Sequence, residues 1–356
     1  MEKELLEKIK LISPGTPLRK ALDDILRANM GALVLMLNEP EKHTEIVQGG
    51  FDINVPFQPE YLYELSKMDG AIIISEDSKW IYKANVHLVP DPSIETTETG
   101  TRHRTAERVA KQLGKVVITV SRRRNVITLY YKDFRYVVND TSFVISRVNQ
   151  AIDALEKYRK SFDRLITELD VMELENRVTL ADVVRTIEKG IMVLKIDFEI
   201  KPYLVELGEE GRLARMQVSE LTENARDILE LLIMDYSKDP IDSKTSEKIL
   251  DDILVSDIDS LKIAKFLGYE VQSQSQLDDV AVFARGYRLL KYTAKIPMGI
   301  SRKVVERFGD IFRISRATLE QLKSVEGIGD KRAKAILESI VSLRMRKTAY
   351  TEGEIS

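Results

Sequence analysis

The sequence of 356 residues contains no cysteine and only three histidines, His43, His87 and His103. Without cysteine the chain can form no disulfide bond and can use no thiolate in catalysis. The histidines are not spaced as zinc ligands are, so we expect no zinc site. No run approaches about eighteen consecutive apolar residues, and the charged start Glu2-Lys3-Glu4 is unlike a secretory signal. We therefore expect no membrane span, and a cytoplasmic protein fits these absences.

The common nucleotide-binding signatures are absent as well. Neither Gly-x-x-x-x-Gly-Lys-Ser/Thr nor Gly-x-Gly-x-x-Gly occurs in the chain, so any nucleotide site must belong to another class of protein. The formal net charge of -3 does not by itself suggest a nucleic-acid partner. Charge is uneven, however, because residues 296–347 contain 12 Lys and Arg against 6 Asp and Glu. A basic module on an acidic body is one way to bind a phosphate backbone.

Residues 1–140 have the pattern of an α/β domain. Apolar runs of strand length alternate with stretches of helical periodicity. We predict strands over residues 31–37, 71–75, 115–120, 126–131 and 135–138, and helices over residues 18–28, 60–67 and 106–113. Continuous apolar strands separated by helices indicate a buried sheet with helices on its faces. The last strands follow one another closely, so we expect a mixed sheet that is antiparallel in part.

Residues 141–290 change to a helical pattern, for which we predict an all-α spine. Apolar residues recur there at spacings of three and four, at Val148, Ala151, Leu155, Tyr158, Phe162, Leu165, Leu169 and Met172. This heptad seam predicts a long helix packed lengthwise on a partner. We predict further helices over residues 225–235 and 246–254. The polar residues 348–356 are predicted to form a flexible tail.

An acidic residue and a glycine precede one of the predicted strands, in Asp69-Gly70-Ala71. Glycine has no Cβ and lets a ligand approach the backbone closely. A carboxylate at this point can hold a hard divalent cation or accept a proton. The alternative is a plain turn, because Asp-Gly is among the commonest turn dipeptides.

A second polar group, Gly100-Thr101-Arg102-His103-Arg104-Thr105, stands just ahead of the predicted helix 106–113. Thr101 or Thr105 is expected to cap that helix. Free N–H groups and the positive end of the helix dipole favour an anion there. Two arginines at that end oppose the dipole unless an anion binds them, which indicates a phosphate ligand. The alternative is a solvated basic turn.

A third group, Ser121-Arg122-Arg123-Arg124, follows the predicted strand 115–120. A guanidinium here could stack on a base or bind phosphate. An exposed hairpin turn explains the same residues equally well.

The first two groups, in this order, resemble the defining motifs of the diadenylate cyclase domain, Asp-Gly-Ala and Arg-His-Arg. They appear here as Asp69-Gly70-Ala71 and Arg102-His103-Arg104, without departure in either motif. Residues 85–88 are similar to that family's adenine-contacting strand, and the resemblance covers roughly residues 1–140. Asp-Gly-Ala alone is a weak signal, but the pair of motifs in an α/β domain is a strong one. With the segments downstream, the whole chain resembles the bacterial DNA integrity scanning proteins.

The resemblance implies that two facing domains condense two ATP molecules into cyclic di-AMP and two pyrophosphates. It implies that Asp69 binds Mg²⁺ or Mn²⁺ and helps to deprotonate the 3′-hydroxyl, with Arg102, His103 and Arg104 as catalytic partners. The ATP contacts that it implies are Gly70, Ala71 and Leu88 near the adenine, Thr101, Arg102, His103, Arg104 and Thr105 at the phosphates, and Ser121 with Arg122.

A further implication is a homo-oligomer, by family resemblance an octamer, because each domain would hold only half a reaction. The seam of residues 148–172 is a natural place to organise such an assembly. ATP is then the substrate and cyclic di-AMP the product.

Residues 291–347 resemble a tandem helix-hairpin-helix DNA-binding domain. The glycines of Gly327-Ile328-Gly329 interrupt helical periodicity and bare N–H groups where a DNA phosphate can lie. Lys331, Arg332 and Lys334 could reach neighbouring phosphates. Residues 296–301 look like a degenerate first copy. Such contacts recognise DNA shape, and the resemblance implies branched DNA that lowers synthesis; the alternative is a helix turn used for protein contacts.

Two other functions stay open at this stage. One is a non-catalytic DNA-binding scaffold whose first domain only senses a nucleotide. The intact Asp69 argues against it, since a sensor has no need of a metal-holding carboxylate beside the phosphates. The other is an adenylyltransferase that modifies a protein or a nucleic-acid end.

Overall fold

The strands and helices of the chain divide between two units. The computed structural model describes residues 2–257 and 259–353, and the side chains of residues 4–257 and 259–345. The amino-terminal unit runs to Ala151 and includes Ile200–Met216, whereas the carboxyl-terminal unit comprises Ile152–Glu199 and the residues from Gln217 onward. Within the described residues we find no helix whose length and apolar character would let it span a bilayer.

The amino-terminal unit has the predicted α/β architecture. Its strands are β1 (Ala32–Met36), β2 (Val47–Gln48), β3 (Phe51–Pro56), β4 (Ala71–Ile74), β5 (Trp80–Leu88), β6 (Val116–Ser121), β7 (Val126–Tyr131) and β8 (Phe134–Val138). Its helices are α1 (Glu2–Lys10), α2 (Pro17–Arg27), α3 (Pro59–Leu65) and α4 (Thr101–Leu113), with a short 3-10 turn over Pro40–His43.

These strands form one mixed sheet, as expected. Their order is β2-β5-β4-β1-β6-β7-β8, and β3 also pairs with β5. The central strands β1 and β4 are parallel, with Val34 opposite Ile72. The other pairs are antiparallel, and the run from β6 to β8 is the antiparallel part that the close spacing predicts.

Successive residues of the central strands face opposite sides of the sheet, as the geometry of a strand requires. Val34 of β1 packs in a cluster that includes Leu22 of α2. Its neighbour Leu35 packs in a second cluster that includes Val109 of α4. Helices therefore cover both faces, which is why the central strands are continuously apolar in the sequence.

The sequence analysis missed β2, β3 and most of β5, which lie at one side of the sheet. β5 alternates between exposed and buried residues, from the exposed Trp80 to the buried Leu88. Its register with β4 shifts near Asn85, whose φ is 52°, as at a β-bulge. A strand with one polar face and an interrupted ladder lacks the continuous apolar run that identified the central strands.

Helices make up the carboxyl-terminal unit, which confirms the helical prediction. Three helices belong partly to each unit: α5 (Thr141–Glu175), α6 (Leu180–Glu206) and α7 (Arg212–Thr222). The helices that follow are α8 (Ala225–Tyr236), α9 (Ser243–Val255), α10 (Ser260–Phe266), α11 (Gln274–Asp279), α12 (Tyr287–Tyr292), α13 (Met298–Phe308), α14 (Ile311–Ile314), α15 (Leu319–Lys323) and α16 (Asp330–Gly353). Helix α16 thus continues through most of the predicted tail, and residues 354–356 lie outside the described residues.

The apolar seam of α5 packs inside the chain. Leu155, Phe162 and Leu169 are fully buried. A Cβ added to Gly190 of α6 would lie 2.8 Å from Cε2 of Phe162 and 2.7 Å from Cδ2 of Leu229 on α8. The partner of the seam is therefore formed by helices of the same chain. Most of the seam is covered in this way, whereas Ala151, Tyr158 and Met172 are only half-buried, and a part for the seam in an oligomer stays a prediction.

A buried cluster of charges joins α5, α8 and α12 within the carboxyl-terminal unit. Arg288 of α12 donates hydrogen bonds to Asp170 and, at 2.7 Å, to Glu173 of α5. Tyr236 of α8 donates to Glu173 at 2.5 Å, and the carboxylate of Asp235 accepts three N–H groups at the start of α12. Burial raises the pKa of Glu173 to about 7, against the opposing effect of Arg288.

Candidate functional site

The strand pairing gathers the predicted nucleotide-site residues at one edge of the sheet. The parallel strands β1 and β4 both begin at this edge, whereas β5 and β6 run antiparallel to them and end there. Asp69 and Gly70 therefore precede β4 at the edge where Leu88 closes β5 and Ser121 closes β6. Helix α4 packs on β6 and β7 and begins at Thr101.

The two sequence motifs meet at this edge. Nη2 of Arg102 lies 3.9 Å from Oδ1 of Asp69. The side chain of Asp69 is fully exposed and that of Arg102 is 44% exposed, so both are accessible to a ligand. An exposed ion pair at this distance adds little to stability, which favours a role in binding for these two residues.

The backbone at position 70 has two features that glycine accommodates and a residue with a side chain does not. Its φ is +89°, and a Cβ there would lie 2.8 Å from the carbonyl oxygen of Val86 and 3.1 Å from Cα of Asn85. The left-handed backbone and the close approach to β5 both favour glycine. The turn leaves Asp69 exposed, while Ala71 is fully buried at the start of β4.

Helix α4 begins without a side-chain cap. Gly100 is the N-cap, so the expectation that Thr101 or Thr105 caps the helix is wrong. Both threonines lie within the first turns of the helix, and no acidic residue occupies the first turn. An anion at this end would meet free N–H groups and the positive end of the helix dipole.

His103 is the buried member of the Arg-His-Arg motif, whereas Arg102 and Arg104 are exposed. Its ring packs edge-on against Tyr130 of β7, with centroids 6.4 Å apart. Its Nε2 is buried and has no hydrogen-bond partner among the described residues. Burial lowers the pKa of His103, although Glu98 opposes this, so the imidazole is neutral near pH 7.

The guanidinium of Arg102 lies against Gly31, whose role the sequence did not reveal. A Cβ at Gly31, just before β1, would lie 2.4 Å from Nη1 of Arg102 and 3.2 Å from the carbonyl oxygen of Val120. The missing side chain lets the guanidinium lie against the backbone near Asp69. Glycine before a strand is too common for this role to be predicted from the sequence.

The three arginines after β6 have different surroundings. Nη1 of Arg124 donates to Glu98 at 3.0 Å, and its backbone N–H donates to Oγ of Ser121 at 3.2 Å. Arg122 and Arg123 are exposed and form no ion pair with another described residue. Arg124 therefore supports the hairpin, and Arg122 or Arg123 is free to contact a nucleotide.

Glu98, which the sequence analysis also missed, accepts hydrogen bonds in a buried network behind the Arg-His-Arg motif. Its donors are Oη of Tyr130 at 2.8 Å, Nε of Arg135 at 2.6 Å and Nη1 of Arg124 at 3.0 Å. Burial acts to raise the pKa of Glu98, but the three donors outweigh burial and hold the pKa below its usual range. Little in the sequence indicates this role of Glu98, because it is simply one acidic residue just before a basic motif.

Leu88 ends β5 with its side chain buried and lies opposite Val47 of β2. The next N–H group, that of Val89, donates to the carbonyl oxygen of Ile46 at 2.9 Å. Leu88 thus lies at the edge that carries Asp69, and its contact with adenine stays a prediction.

A metal ion bound at this edge would have one protein carboxylate as a ligand, that of Asp69. The described part of the chain contains no group of three or more His, Cys, Asp or Glu side chains that could hold a metal ion, and Asp69 is fully exposed. Mg²⁺ is commonly bound by one or two carboxylates together with substrate phosphates. Asp69 therefore fits a divalent cation that arrives with a nucleotide, and does not fit a preformed metal cage.

A second candidate site lies between α15 and α16. Gly327 has a φ of +90°, and a Cβ there would lie 3.3 Å from Ile300 of α13. Ile328 is buried and its N–H donates to Val325, so its side chain supports the hairpin and does not face a ligand. Gly329 is exposed, and a Cβ there would meet no atom within 4 Å.

The predicted basic residues surround the start of α16. Lys331, Arg332 and Lys334 are exposed. Nη1 of Arg332 donates to the carbonyl oxygen of Gly327 at 2.6 Å. The open surface at Gly329, the first N–H groups of α16 and these cations together can accommodate a backbone phosphate.

The upstream copy forms its hairpin without glycine. Lys295 takes the left-handed conformation, with a φ of 52°, and Pro297 is the N-cap of α13. The buried Ile296 lies between them, as Ile328 does in the second hairpin. Gly299, which belongs to the predicted copy, lies in the first turn of α13. The upstream hairpin is therefore centred slightly earlier than predicted.

Family comparisons match the chain in three successive segments. The family described as DisA bacterial checkpoint controller nucleotide-binding matches residues 19–134. The family described as DisA bacterial checkpoint controller linker region matches residues 138–276, and the helix-hairpin-helix motif matches residues 313–339.

Curated relatives are similar along nearly the whole chain. The DNA integrity scanning protein DisA of Thermotoga neapolitana is 62% identical over 97% of this chain and 99% of its own length. That of Thermotoga maritima is 62% identical over 97% of each chain, and that of Carboxydothermus hydrogenoformans is 44% identical over 98% of this chain and 99% of its own. The crystal structure of DacA from Staphylococcus aureus covers 39% of this chain and 89% of that chain at 21% identity, with a TM-score of 0.29.

Proposed function

This chain belongs to the family of the DNA integrity scanning proteins DisA, and we propose on that basis that it is a diadenylate cyclase. It would condense two ATP molecules into the second messenger cyclic di-AMP and release two pyrophosphates. The observation that carries the proposal is the approach of Arg102 to Asp69 at 3.9 Å, because it brings both cyclase motifs into one accessible site.

Different residues of the site have different roles in phosphoryl transfer. This reaction depends on positioning and charge neutralisation more than on covalent catalysis. The start of α4 binds the triphosphate through its N–H groups, through the guanidinium groups of Arg102 and Arg104, and through the hydroxyl groups of Thr101 and Thr105. The neutral His103 donates a hydrogen bond to a phosphate oxygen. It therefore orients the phosphate without adding a charge.

The adenine binds at the neighbouring part of the same edge. Gly70, Ala71 and Leu88 offer backbone groups to it, because a residue without a side chain at position 70 lets the base approach the strand. Ser121 and Arg122, at the end of β6, contact the adenine from its opposite side. The guanidinium of Arg122 stacks on the base.

Each site holds one ATP, so the reaction needs a second copy of the chain. The 3′-hydroxyl oxygen of one ATP bonds to the α-phosphorus of the other, the bond from that phosphorus to pyrophosphate breaks, and the hydroxyl proton passes to Asp69. The same step in the opposite direction closes the ring. We therefore propose a homo-oligomer, by family resemblance an octamer.

A divalent cation, Mg²⁺ or Mn²⁺, would neutralise charge on the phosphates when it is bound. Asp69 is the residue that would hold it. The exposure of this carboxylate suits a cation that enters and leaves with each nucleotide.

The cyclase proposal is tested by incubating the purified protein with ATP and Mg²⁺ or Mn²⁺ and separating the nucleotides by chromatography. We expect cyclic di-AMP from the wild type and at least about 100-fold less from Asp69→Asn, because one stabilising group of this kind contributes about two to three orders of magnitude. The matched control is Asp133→Asn, which changes an exposed carboxylate of the same unit. ATP binding without any product would instead favour the nucleotide-sensing scaffold, and AMP attached to protein or nucleic acid would favour an adenylyltransferase.

We further propose that the helix-hairpin-helix domain binds branched DNA by its shape and that occupancy lowers cyclic di-AMP synthesis. The hairpin at Gly327-Ile328-Gly329 with Lys331, Arg332 and Lys334 provides the phosphate contacts. Both ATP and chromosomal DNA are found in the cytoplasm, where we propose that the protein acts.

The variant Gly329→Leu tests this surface, because a Cβ at this position meets no atom within 4 Å, so the substitution adds bulk in the open space in front of the hairpin. We expect at least about tenfold weaker binding to junction DNA by fluorescence anisotropy, since a lost hydrogen bond to a charged phosphate costs about 1.5–3 kcal/mol. Synthesis without DNA should not change. Glu338→Leu, an exposed change further along α16, is the control. Equal binding by the two variants would show that the hairpin is not the DNA contact.

A further inference from the structure

We propose that Glu98 is a positioning residue of the nucleotide site, which clamps the arginine-bearing hairpin between β6 and β7 to the start of α4. The proposal rests on the proposed function in one respect, namely that this edge of the sheet binds ATP. It assigns no contact with the nucleotide to Glu98 itself.

On the solvent side, the clamp consists of one arginine and two consecutive residues. Nη1 of Arg124 donates to Oε2 of Glu98 at 3.0 Å, and Nη2 of the same guanidinium donates to Oγ1 of Thr99 at 3.1 Å. Glu98 and Thr99 immediately precede Gly100, the N-cap of α4. The fork of Arg124 therefore joins the hairpin that carries Arg122 to the backbone that leads into the Arg-His-Arg motif.

On the sheet side, the other carboxylate oxygen is fixed by two strands. Oε1 of Glu98 accepts from Oη of Tyr130 on β7 at 2.8 Å and from Nε of Arg135 on β8 at 2.6 Å. Tyr130 is fully buried and is the residue against which His103 packs. The carboxylate is thus anchored to the sheet and joins the hairpin to the start of α4.

The chemistry of the cluster requires a carboxylate. All three partners of Glu98 are donors, and an ionised carboxylate offers acceptors on both oxygens, whereas glutamine would present an N–H₂ group to one guanidinium. The negative charge is also more than compensated, because two cations, Arg124 and Arg135, both pair with Glu98. A buried negative charge can therefore lie close to a phosphate site without repelling the phosphates.

Removal of the clamp should weaken ATP binding more than it weakens folding. Arg124 and Arg135 are both partly exposed, at 42% and 43%, so water can solvate them when Glu98 is neutral. The hairpin and the start of α4 would no longer be held at a fixed separation. Both elements contribute phosphate or base contacts, so the loss should appear in the KM for ATP.

The test compares Glu98→Gln with Glu95→Gln, an exposed change in the same loop, by cyclase kinetics in the full-length protein. We expect Glu98→Gln to raise the KM for ATP at least about tenfold, since misplaced charged hydrogen bonds cost about 1.5–3 kcal/mol, while Glu95→Gln stays within about twofold. Arg124→Lys keeps the charge but loses the fork, and should give an intermediate KM. A residue with only a structural role would lower the folded fraction and hence kcat, and would leave KM unchanged.

Isothermal titration of ATP with Mg²⁺ separates this proposal from the cyclase proposal. If the wild type binds ATP but makes no cyclic di-AMP, the cyclase proposal fails, and the ratio of Kd values between Glu98→Gln and wild type still decides the role of Glu98. Wild-type KM and Kd in Glu98→Gln would overturn the proposal. Should Glu98→Gln not fold, Arg124→Lys decides: a wild-type KM in that variant overturns the clamp.

Discussion

At the scale of single residues, Asp69 and His103 lie in opposite environments within one site. Asp69 is fully exposed, so ligands at its carboxylate can exchange freely with solvent. His103 is buried beside Tyr130 with an unpartnered Nε2, and burial keeps its ring neutral. The site thereby combines an exposed carboxylate with a buried, neutral imidazole.

The variant Gly70→Ala tests whether the backbone at the start of β4 sets the position of Asp69. Alanine would have to adopt a φ of +89° with its Cβ 2.8 Å from the carbonyl oxygen of Val86. We expect a loss of about 1–3 kcal/mol in the free energy of unfolding, since strain of this kind costs that much, together with a large loss of cyclase activity. Chemical denaturation and the chromatographic assay measure the two effects. Gly299→Ala, where a Cβ meets no atom within 4 Å, is the control, and equal stability of the two variants would contradict the argument.

Some residue roles could be predicted from the sequence and others could not. Asp69 and the Arg-His-Arg motif were identified because the two motifs together resemble those of the diadenylate cyclase domain, and because two arginines oppose the dipole at the start of a helix. Glu98 and Gly31 were missed because their roles depend on neighbours that the chain supplies from distant positions. A carboxylate that accepts from Arg135 is indistinguishable in the sequence from any other acidic loop residue.

At the scale of elements, helix α6 contacts its neighbours α5 and α8 at Gly190, a residue without a side chain. Gly190 is approached by the ring of Phe162 from α5 and by Leu229 from α8. A residue without a side chain lets helices pack more closely than their usual separation of about 8–10 Å allows. The close contact is paid for by the low helix propensity of glycine, about 1 kcal/mol relative to alanine.

The variant Gly190→Val should destabilise the carboxyl-terminal unit by about 1–3 kcal/mol, because added methyl groups overpack a filled core. In a double variant with Phe162→Leu, the smaller side chain makes room for the valine. We expect the double variant to lose less stability than the two single variants together, as measured by urea denaturation. Strict additivity would show that Gly190 and Phe162 do not compete for the same space.

The strands and helices could be predicted from the sequence where the burial of their residues follows a regular pattern. The central strands and the long helices have sequence periods that identify them directly. The N-cap of α4 was placed wrongly because threonine and glycine are about equally good N-caps, so the sequence does not distinguish Thr101 from Gly100, which the chain uses. The start of the upstream hairpin is hard to recognise in the sequence because Lys295, and not a glycine, takes the left-handed conformation.

At the scale of the whole molecule, the buried cluster around Arg288 concentrates more acid than base. Arg288 is close to Asp170, Glu173 and Asp235, all of them buried. Burying charges costs several kcal/mol per ion unless they are paired, and one cation cannot balance three carboxylates. The raised pKa of Glu173 follows from this imbalance, since protonation of one carboxyl removes the excess charge.

This cluster predicts a specific pH dependence of stability. The pKa of Glu173 rises from 4.5 to about 7 on folding, so the folded chain binds more protons than the unfolded chain between these values. The stability that Glu173 contributes is present below pH 4.5 and is lost as the pH rises through about 7. We expect the free energy of unfolding of the wild type to fall between pH 5 and pH 8 relative to that of Glu173→Gln. Urea denaturation at both pH values measures this, and parallel curves would contradict the assignment.

The order of segments along the chain was predictable, but the return of residues 200–216 to the amino-terminal unit was not. Within that unit, Glu206 accepts a hydrogen bond from Oη of Tyr136 at 2.5 Å and another from the backbone N–H of Asn139 at 2.6 Å. Oγ of Ser13 donates to the carbonyl oxygen of Val205 at 2.8 Å. A helical period reveals which face of a segment is buried and does not reveal which distant segment covers it.

The pairing at the centre of the sheet also constrains the order of events on the ribosome. Strand β1 has Ile118 of β6 opposite Val34 and Ile72 of β4 on its other side, so its fully apolar surface has no partner when it first leaves the exit tunnel. The unit is complete only after Glu206 has been translated. Until β6 has been translated, a nascent chain exposes an unpaired edge of this apolar strand, which is the kind of surface that chaperones protect and that aggregates in their absence.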